Sequence, residues 1–207
     1  MKGILNCTFE HTPYAKSVRK APGIMNSDGG EAEELSILLG QALEATVCMV
    51  SYCQKKNSSK RKVSTKFHEF FSFQHLYPKS QIDVFVTVIE DDGSTLAAAL
   101  TASGLALADA SIQMFDTLVG ASIKRVKNRV FIDPDKNEEE MYDETECGQM
   151  TIGFQPSLEQ VALVSQEGHV NLESLTKDTK QLSKMCTELM PIVHSCLVQA
   201  IKESDTS

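Results

Sequence analysis

The sequence predicts an α+β or α/β domain in which helices pack on a sheet. Three observations predict it. Strand-like and helix-like stretches alternate without a regular βα repeat. One stretch, Gln81–Met114, reads as a strand, a tight acidic turn and a small-residue helix. The chain closes on a long amphipathic pattern at Asn171–Glu203. A length of 207 residues is enough for one sizeable core or two small domains, and the hydrophobic fraction of 42% is ordinary for a folded protein.

Taken in order, Lys2–Phe9 is expected as a strand. His11–Gly30 carries Pro13, Pro22, Gly23, Gly29 and Gly30 and reads as an irregular connection. Glu31–Val50 is expected as a helix, because Leu35, Leu38, Leu39, Ala42, Leu43, Val47 and Val50 recur at three and four. Cys53–His75 differs in composition, with six Lys/Arg against one Glu and a cluster of Phe67, Phe70, Phe71 and Phe73. It reads as an insertion, either a solvated loop or a phosphate-contacting or nuclear-localisation-like basic arm.

In the strand beginning at Gln81, Ile82, Val84, Val86 and Val88 share one face. Phe85 and Ile89 make the other face apolar, which predicts a central strand. Asp92-Gly93 turns the chain, and Ser94 or Thr95 is expected to cap the helix that follows. Unpaired amides and the helix dipole make such a turn attractive to an anion.

Beyond it, Phe115–Ile123 and Arg129–Asp133 are expected as strands joined by a basic hairpin holding Lys124, Arg125, Lys127 and Asn128. Lys124, Arg125, Lys127 and Arg129 are candidates to face RNA, or else form a solvated hairpin. Pro134–Cys147 reads as an acidic loop, and Met150–Phe154 and Gln160–Ser165 as strands with a hairpin turn at Glu167-Gly168. The last helix buries a stripe through Leu172, Leu175, Leu182, Met185, Leu189, Val193, Leu197 and Ile201, with a kink expected at Pro191. His194, Met185, Met190 and the cysteines of this helix are expected as packing groups, His194 partly buried.

The six cysteines show no C-x-x-C or Cys/His spacing, so reduced thiols are expected, with no metal site and no cofactor. The formal net charge of −8 does not suit a stand-alone nucleic-acid binder. No apolar run is long enough for a membrane span.

The run D-V-F-V-T-V-I-E-D-D-G-S-T-L-A-A-A-L-T-A-S-G-L-A-L-A-D-A resembles the core of the RNase PH family. C-T-F-E-H-T-P-Y-A before it resembles the same family in order. So do F-D-T-L-V-G-A-S, F-I-D-P-D-K-N-E-E-E and M-T-I-G-F-Q-P-S-L-E-Q-V-A-L-V-S-Q-E-G after it. The resemblance implies a single RNase PH-like domain over residues 1–207 (ribosomal protein S5 domain 2-like), interrupted at 53–75. Strands normally found before Lys2–Phe9 are expected to be missing.

Active members of the family are phosphorolytic, and the resemblance places their phosphate-gripping arginine at Leu96. Leucine has neither charge nor donor. Asp92, Gly93, Ser94 and Thr95 then form a vestigial phosphate turn. The family's paired acids fall on Asp133 and Glu139, of which the second is altered; Asp133 also reads as an ordinary Asp-Pro turn. The arginine-rich RNA grip falls on Asp28–Ser36, where Glu31, Glu33 and Glu34 would repel phosphates.

The resemblance implies a ring subunit of the RNA exosome that supports 3′-to-5′ RNA processing and degradation, and these departures imply that it is non-catalytic. Its implied partners are other RNase PH-like subunits in a hetero-hexameric ring, cap subunits, a separate nuclease and RNA in the channel. The implied location is the nucleus, with the nucleolus, and the cytoplasm. The competing expectations are an active phosphate-dependent 3′-to-5′ exoribonuclease and a nucleotide-binding module using the Asp92–Thr95 turn.

Overall fold

Alternating apolar residues pair the first two strands and turn one face of the pair toward a helix. The computed structural model describes residues 4–16, 29–47, 80–127, 129–143 and 146–205. Strand β1 (Ile4–His11) runs parallel to β2 (Gln81–Val88), in register from Ile4↔Gln81 to His11↔Val88. Leu5, Cys7, Ile82, Val84 and Val86 point inward against Leu39 and Leu43 of helix α1 (Gly29–Thr46). The expected central strand is not found. Among the described residues β2 pairs with β1 alone, and Phe85 and Ile89 are 75% and 67% exposed. The basic and aromatic segment 53–75, with Cys53, His68 and His75, and likewise Cys48, lies outside the described residues.

Helix α2 (Thr95–Asp109) stops short of Met114. The reason is a serine in the left-handed region: Ser111 has φ 56°. The Ser111 amide donates to Ala108 O and the Ile112 amide to Leu107 O, a Schellman closure that satisfies the last carbonyls. Serine is an unusual residue there, so no glycine signals the stop.

A four-stranded antiparallel sheet follows, ordered β4-β3-β5-β6. Its members are β3 (Val119–Val126), β4 (Arg129–Ile132), β5 (Cys147–Gln155) and β6 (Gln160–His169). β3 lies later than expected, because the preceding residues form a corner instead. Asp116 there accepts hydrogen bonds from the Ser157 and Leu158 amides and from Ser157 Oγ, tying the corner to the β5–β6 turn. The shift moves Lys124 and Arg125 out of the hairpin and into the strand. Helix α3 (Lys136–Glu139) replaces part of the expected acidic loop, closed by a capping box between Asp135 and Glu138. Glu167-Gly168 is not a hairpin turn, since both residues lie within β6 opposite Gln149 and Gly148.

Helix α4 (Leu172–Asp205) covers this sheet and runs on through Pro191. Its stripe is buried only where sheet lies beneath: Leu182, Cys186 and Val193 are buried, whereas Leu172 and Ile201 are 74% and 59% exposed. His194 and Cys196 are exposed, contrary to the packing roles expected of them. Cys186 does fill core. Burial pushes its thiol up to about 12, and burial with the nearby Glu44 charge pushes Cys7 up to about 11. Both therefore stay protonated and unreactive.

Two cores result. One gathers α1, α2 and the β1–β2 pair around Leu39, Leu43, Leu96 and Leu100; the other gathers α4 and the larger sheet around Ile123, Ile152 and Leu182. Helix α2 lies against the larger sheet at Gly120, where an added Cβ would stand 2.3 Å from Ala97 O.

Arg125 crosses from β3 to α4 in a two-pronged contact with Asp178, Nε at 2.9 Å from Oδ2 and a second pair through Nη2 and Oδ1. Asp178 is only 2% exposed. Asp178→Ala leaves the guanidinium half-buried without its partner and is expected to cost about 3–5 kcal/mol. Urea denaturation measures it, and a loss below about 1 kcal/mol would show that the pair does not hold α4.

Candidate functional site

The strand–turn–helix at 88–95 builds the site because its chain reverses within a few residues. Gly93 has φ 108°, a conformation that suits glycine, and an added Cβ would lie 2.5 Å from Pro134 O. Ser94 follows in the left-handed region, with φ 51°. Neither hydroxyl caps α2 as expected. Ser94 Oγ donates to Pro134 O at 3.0 Å, and Thr95 Oγ1 donates to Asp91 Oδ1 at 2.5 Å. The left-handed backbone at Ser94 points its side chain toward the Asp133-Pro134 turn and away from the helix amides.

One of the amides that an anion would use is already taken. Ser94 N–H donates to Glu139 Oε1 at 2.9 Å, and Gln149 Nε2 donates to the same oxygen at 2.6 Å. The long side chain at the altered acid position reaches back over the turn and presents its own carboxylate. Sequence reading did not foresee this contact, because 45 residues separate its partners. The D-x-x-E capping box just before Glu139, which aims α3 at the turn, was legible in principle.

Asp91 anchors the turn from the other side. Burial disfavours its charged form, but the Thr95 hydroxyl, the Gly93 amide and the charges of His11 and Lys16 outweigh that and hold its carboxyl below its ordinary value. His11 Nε2 stands 3.5 Å from Asp91 Oδ2, with both side chains largely buried. His11 therefore joins the site, although no metal-type spacing marked it.

These groups line a cleft of about 210 Å³ together with Glu31, Glu34, Leu96 and Glu167. Leu96 is 8% exposed and belongs to the core with Leu39 and Leu100. The cleft thus presents carboxylates where a phosphate ligand would need cations. Among the described residues no three His, Cys, Asp or Glu side chains converge as metal ligands.

The two candidate acids do not share this cleft. Asp133, with φ 51° and its amide donating to Ser122 O, opens instead onto a groove lined by Ala98, Ala121 and Leu189. The candidate cations are also dispersed. Lys124 is 9% exposed, Arg125 is held by Asp178, Lys127 Nζ lies 2.6 Å from Asp143 Oδ2, and Arg129 sits exposed on β4. Arg125 and Lys127 thus have carboxylates of this chain as partners.

A model of the 3′ exoribonuclease family, domain 1 (RNase PH), matches residues 1–113. Exosome complex component MTR3 of Mus musculus and that of Homo sapiens are each 32% identical over 207 residues. The match covers 98% of this chain and 64% of each relative, so the chain spans a little under two thirds of their length. Exosome complex component Rrp41 of Pyrobaculum calidifontis is 32% identical over 168 residues, covering 81% of this chain and 55% of that protein. The crystal structure of rice (Oryza sativa) Rrp46 shares the fold, with a TM-score of 0.68 over 95% of this chain and 74% of that one, at 14% identity.

Two outcomes test the site's geometry. Glu139→Ala strands the Ser94 amide and the Gln149 amide group, and is expected to lower stability by about 1–3 kcal/mol in chemical denaturation. Asp91 has a depressed carboxyl, so its contribution is present above the ordinary value of 3.8 and is lost as pH falls through the lower folded value. The stability gap between wild type and Asp91→Asn should therefore be full at neutral pH and close in acid. A gap that widens on acidification would contradict the assignment.

Proposed function

The chain belongs to the RNase PH family, and from that premise we propose that it is a non-catalytic subunit of an RNA exosome ring. In this reading it supports 3′-to-5′ RNA processing and degradation by forming part of the channel wall. A separate nuclease carries out the cleavage. Other RNase PH-like subunits adjoin it in a hetero-hexameric ring, cap subunits lie over the ring, and RNA passes through it, in the nucleus, nucleolus and cytoplasm.

The observation that carries this reading is the state of the turn. Phosphorolysis requires inorganic phosphate to be held beside the scissile bond by preorganised cations and donors. At the position where family resemblance puts the gripping arginine, Leu96 is buried in apolar core. The neighbouring amide is bonded to Glu139. Glu31 and Glu34 also line the cleft. Phosphate entering there would lose water and find Lys16 already paired with Glu31 and His11 already beside Asp91. Sequence identity does not separate the possibilities, since 32% is shared with both MTR3 and Rrp41 relatives. The site residues support the non-catalytic reading.

Purified chain incubated with a short RNA and inorganic phosphate should release no nucleoside diphosphates. Co-expression with other RNase PH-like subunits from its own source should yield a joint complex on size-exclusion chromatography. Phosphate-dependent release of nucleoside diphosphates from the isolated chain would overturn the proposal. Leu96→Arg takes a leucine from the core and sets a guanidinium among the carboxylates of the cleft; it is expected to destabilise by about 1–3 kcal/mol and not to confer phosphorolysis.

A further inference from the structure

The groove beneath Asp133 is separate from the acidic cleft and opens at the edge of the second core, whose Leu105, Ala121 and Met185 help to line it. It encloses about 560 Å³ between α2, β3 and α4, within the range of sites that hold a ligand or a docked side chain. Ala98 and Ala102 form one wall, Ala121 part of the floor and Leu189 the opposite wall. Ala97, Ala98 and Ala102 on α2 leave the space open, and Leu105 of the same helix also lines it. Ala98 is exposed and Leu189 is 37% exposed, so the groove opens to solvent.

Two carboxylates stand among these apolar walls, Asp133 at the end of β4 and Glu188 on α4. Asp133 is held in the left-handed region with φ 51°, and its carboxylate has no hydrogen-bonding or ionic partner among the described residues. Glu188 Oε1 meets only Lys184, at 3.6 Å, in an exposed pair that an incoming cation displaces at little cost. Apolar walls with one unpaired acid and one weakly paired acid at the rim suit a ligand that joins an aliphatic group to a cation. They repel a phosphate backbone. The net charge of −8 also disfavours a second copy of this chain as the occupant.

We propose that this groove docks a basic, apolar peptide segment of another protein, with an aliphatic side chain between Ala98 and Leu189 and an arginine or lysine against Asp133 and Glu188. The site is independent of the acidic cleft and of whether that cleft does chemistry. It gives the chain a surface that reads a partner by charge and shape.

A fluorescein-labelled peptide alternating leucine and arginine serves as the probe, read by anisotropy, with a leucine–glutamate peptide as control. The arginine peptide should bind and the glutamate peptide should not. Asp133→Asn combined with Glu188→Gln should weaken binding about tenfold, as expected for losing charge-assisted hydrogen bonds. Ala98→Phe fills the groove and leaves both charges in place, and should weaken binding by a similar factor; Ala102→Phe replaces it if circular dichroism shows Ala98→Phe unfolded. Unchanged affinity in a folded groove-filling variant would overturn the proposal, since the peptide would then be reading general negative charge. So would the absence of binding to wild type, or a self-association in sedimentation that the groove-filling variant abolishes.

Discussion

Everything in this fold hangs on how closely α2 lies against β3. The helix serves both cores at once, one flank facing α1 and the parallel strands, the other the antiparallel sheet. Ordinary side chains would hold it away from the sheet. Here Gly120 meets the backbone of Ala97, and Gly104 meets Leu118, where an added Cβ would stand 2.7 Å from the carbonyl oxygen. Thr101 secures the approach: its hydroxyl accepts from the Gly120 amide at 2.9 Å and donates to Ala97 O at 3.1 Å. Interiors are packed densely enough that a methyl group at such a contact forces the layers apart. The small residues of α2 are therefore a packing requirement before they are anything else. The open groove beside Ala98 and Ala102 is a by-product of the same composition.

From that placement the site follows. A helix pressed onto β3 brings its first residues beside the end of β4, so the Gly93-Ser94 turn meets the Asp133-Pro134 turn directly. The junction decides the fate of both acids. Pro134 fixes the backbone that leads into α3, and α3 delivers Glu139 to the Ser94 amide. Asp133, one step before the proline, is sent the other way. Two carboxylates close in sequence thus serve two different surfaces, one closed by its own hydrogen bonds and one open to solvent.

Much of the fold was legible in local patterns. Periods of two and near four located the described strands to within a few residues, and the three long helices, because side-chain spacing follows from backbone geometry alone. The misplacements share a cause. Ser111 ends α2 without a glycine, and Asp116 converts the expected start of β3 into a corner by bonding across to Ser157. Phe85 and Ile89 lie on a face that nothing described covers. Each depends on a partner distant in the chain or on a conformation that the residue type does not advertise. The candidate cations show the same limit: composition marked Arg125, but only the crossing of α4 supplies Asp178 as its partner.

By itself the sequence determined the alternation of elements, the shared small-residue helix, the absence of a cation at Leu96 and the resemblance that places the chain in its family. These are properties of residue types and short spacings, which need no third dimension. Only the tertiary structure decided that Leu96 is core, that Glu139 occupies the amide of the turn and that Asp133 faces a separate groove. The physical reason lies in direction. A sequence states which groups are present, but a carboxylate's role depends on which surface its backbone turns it toward, and that is set by packing between segments far apart in the chain.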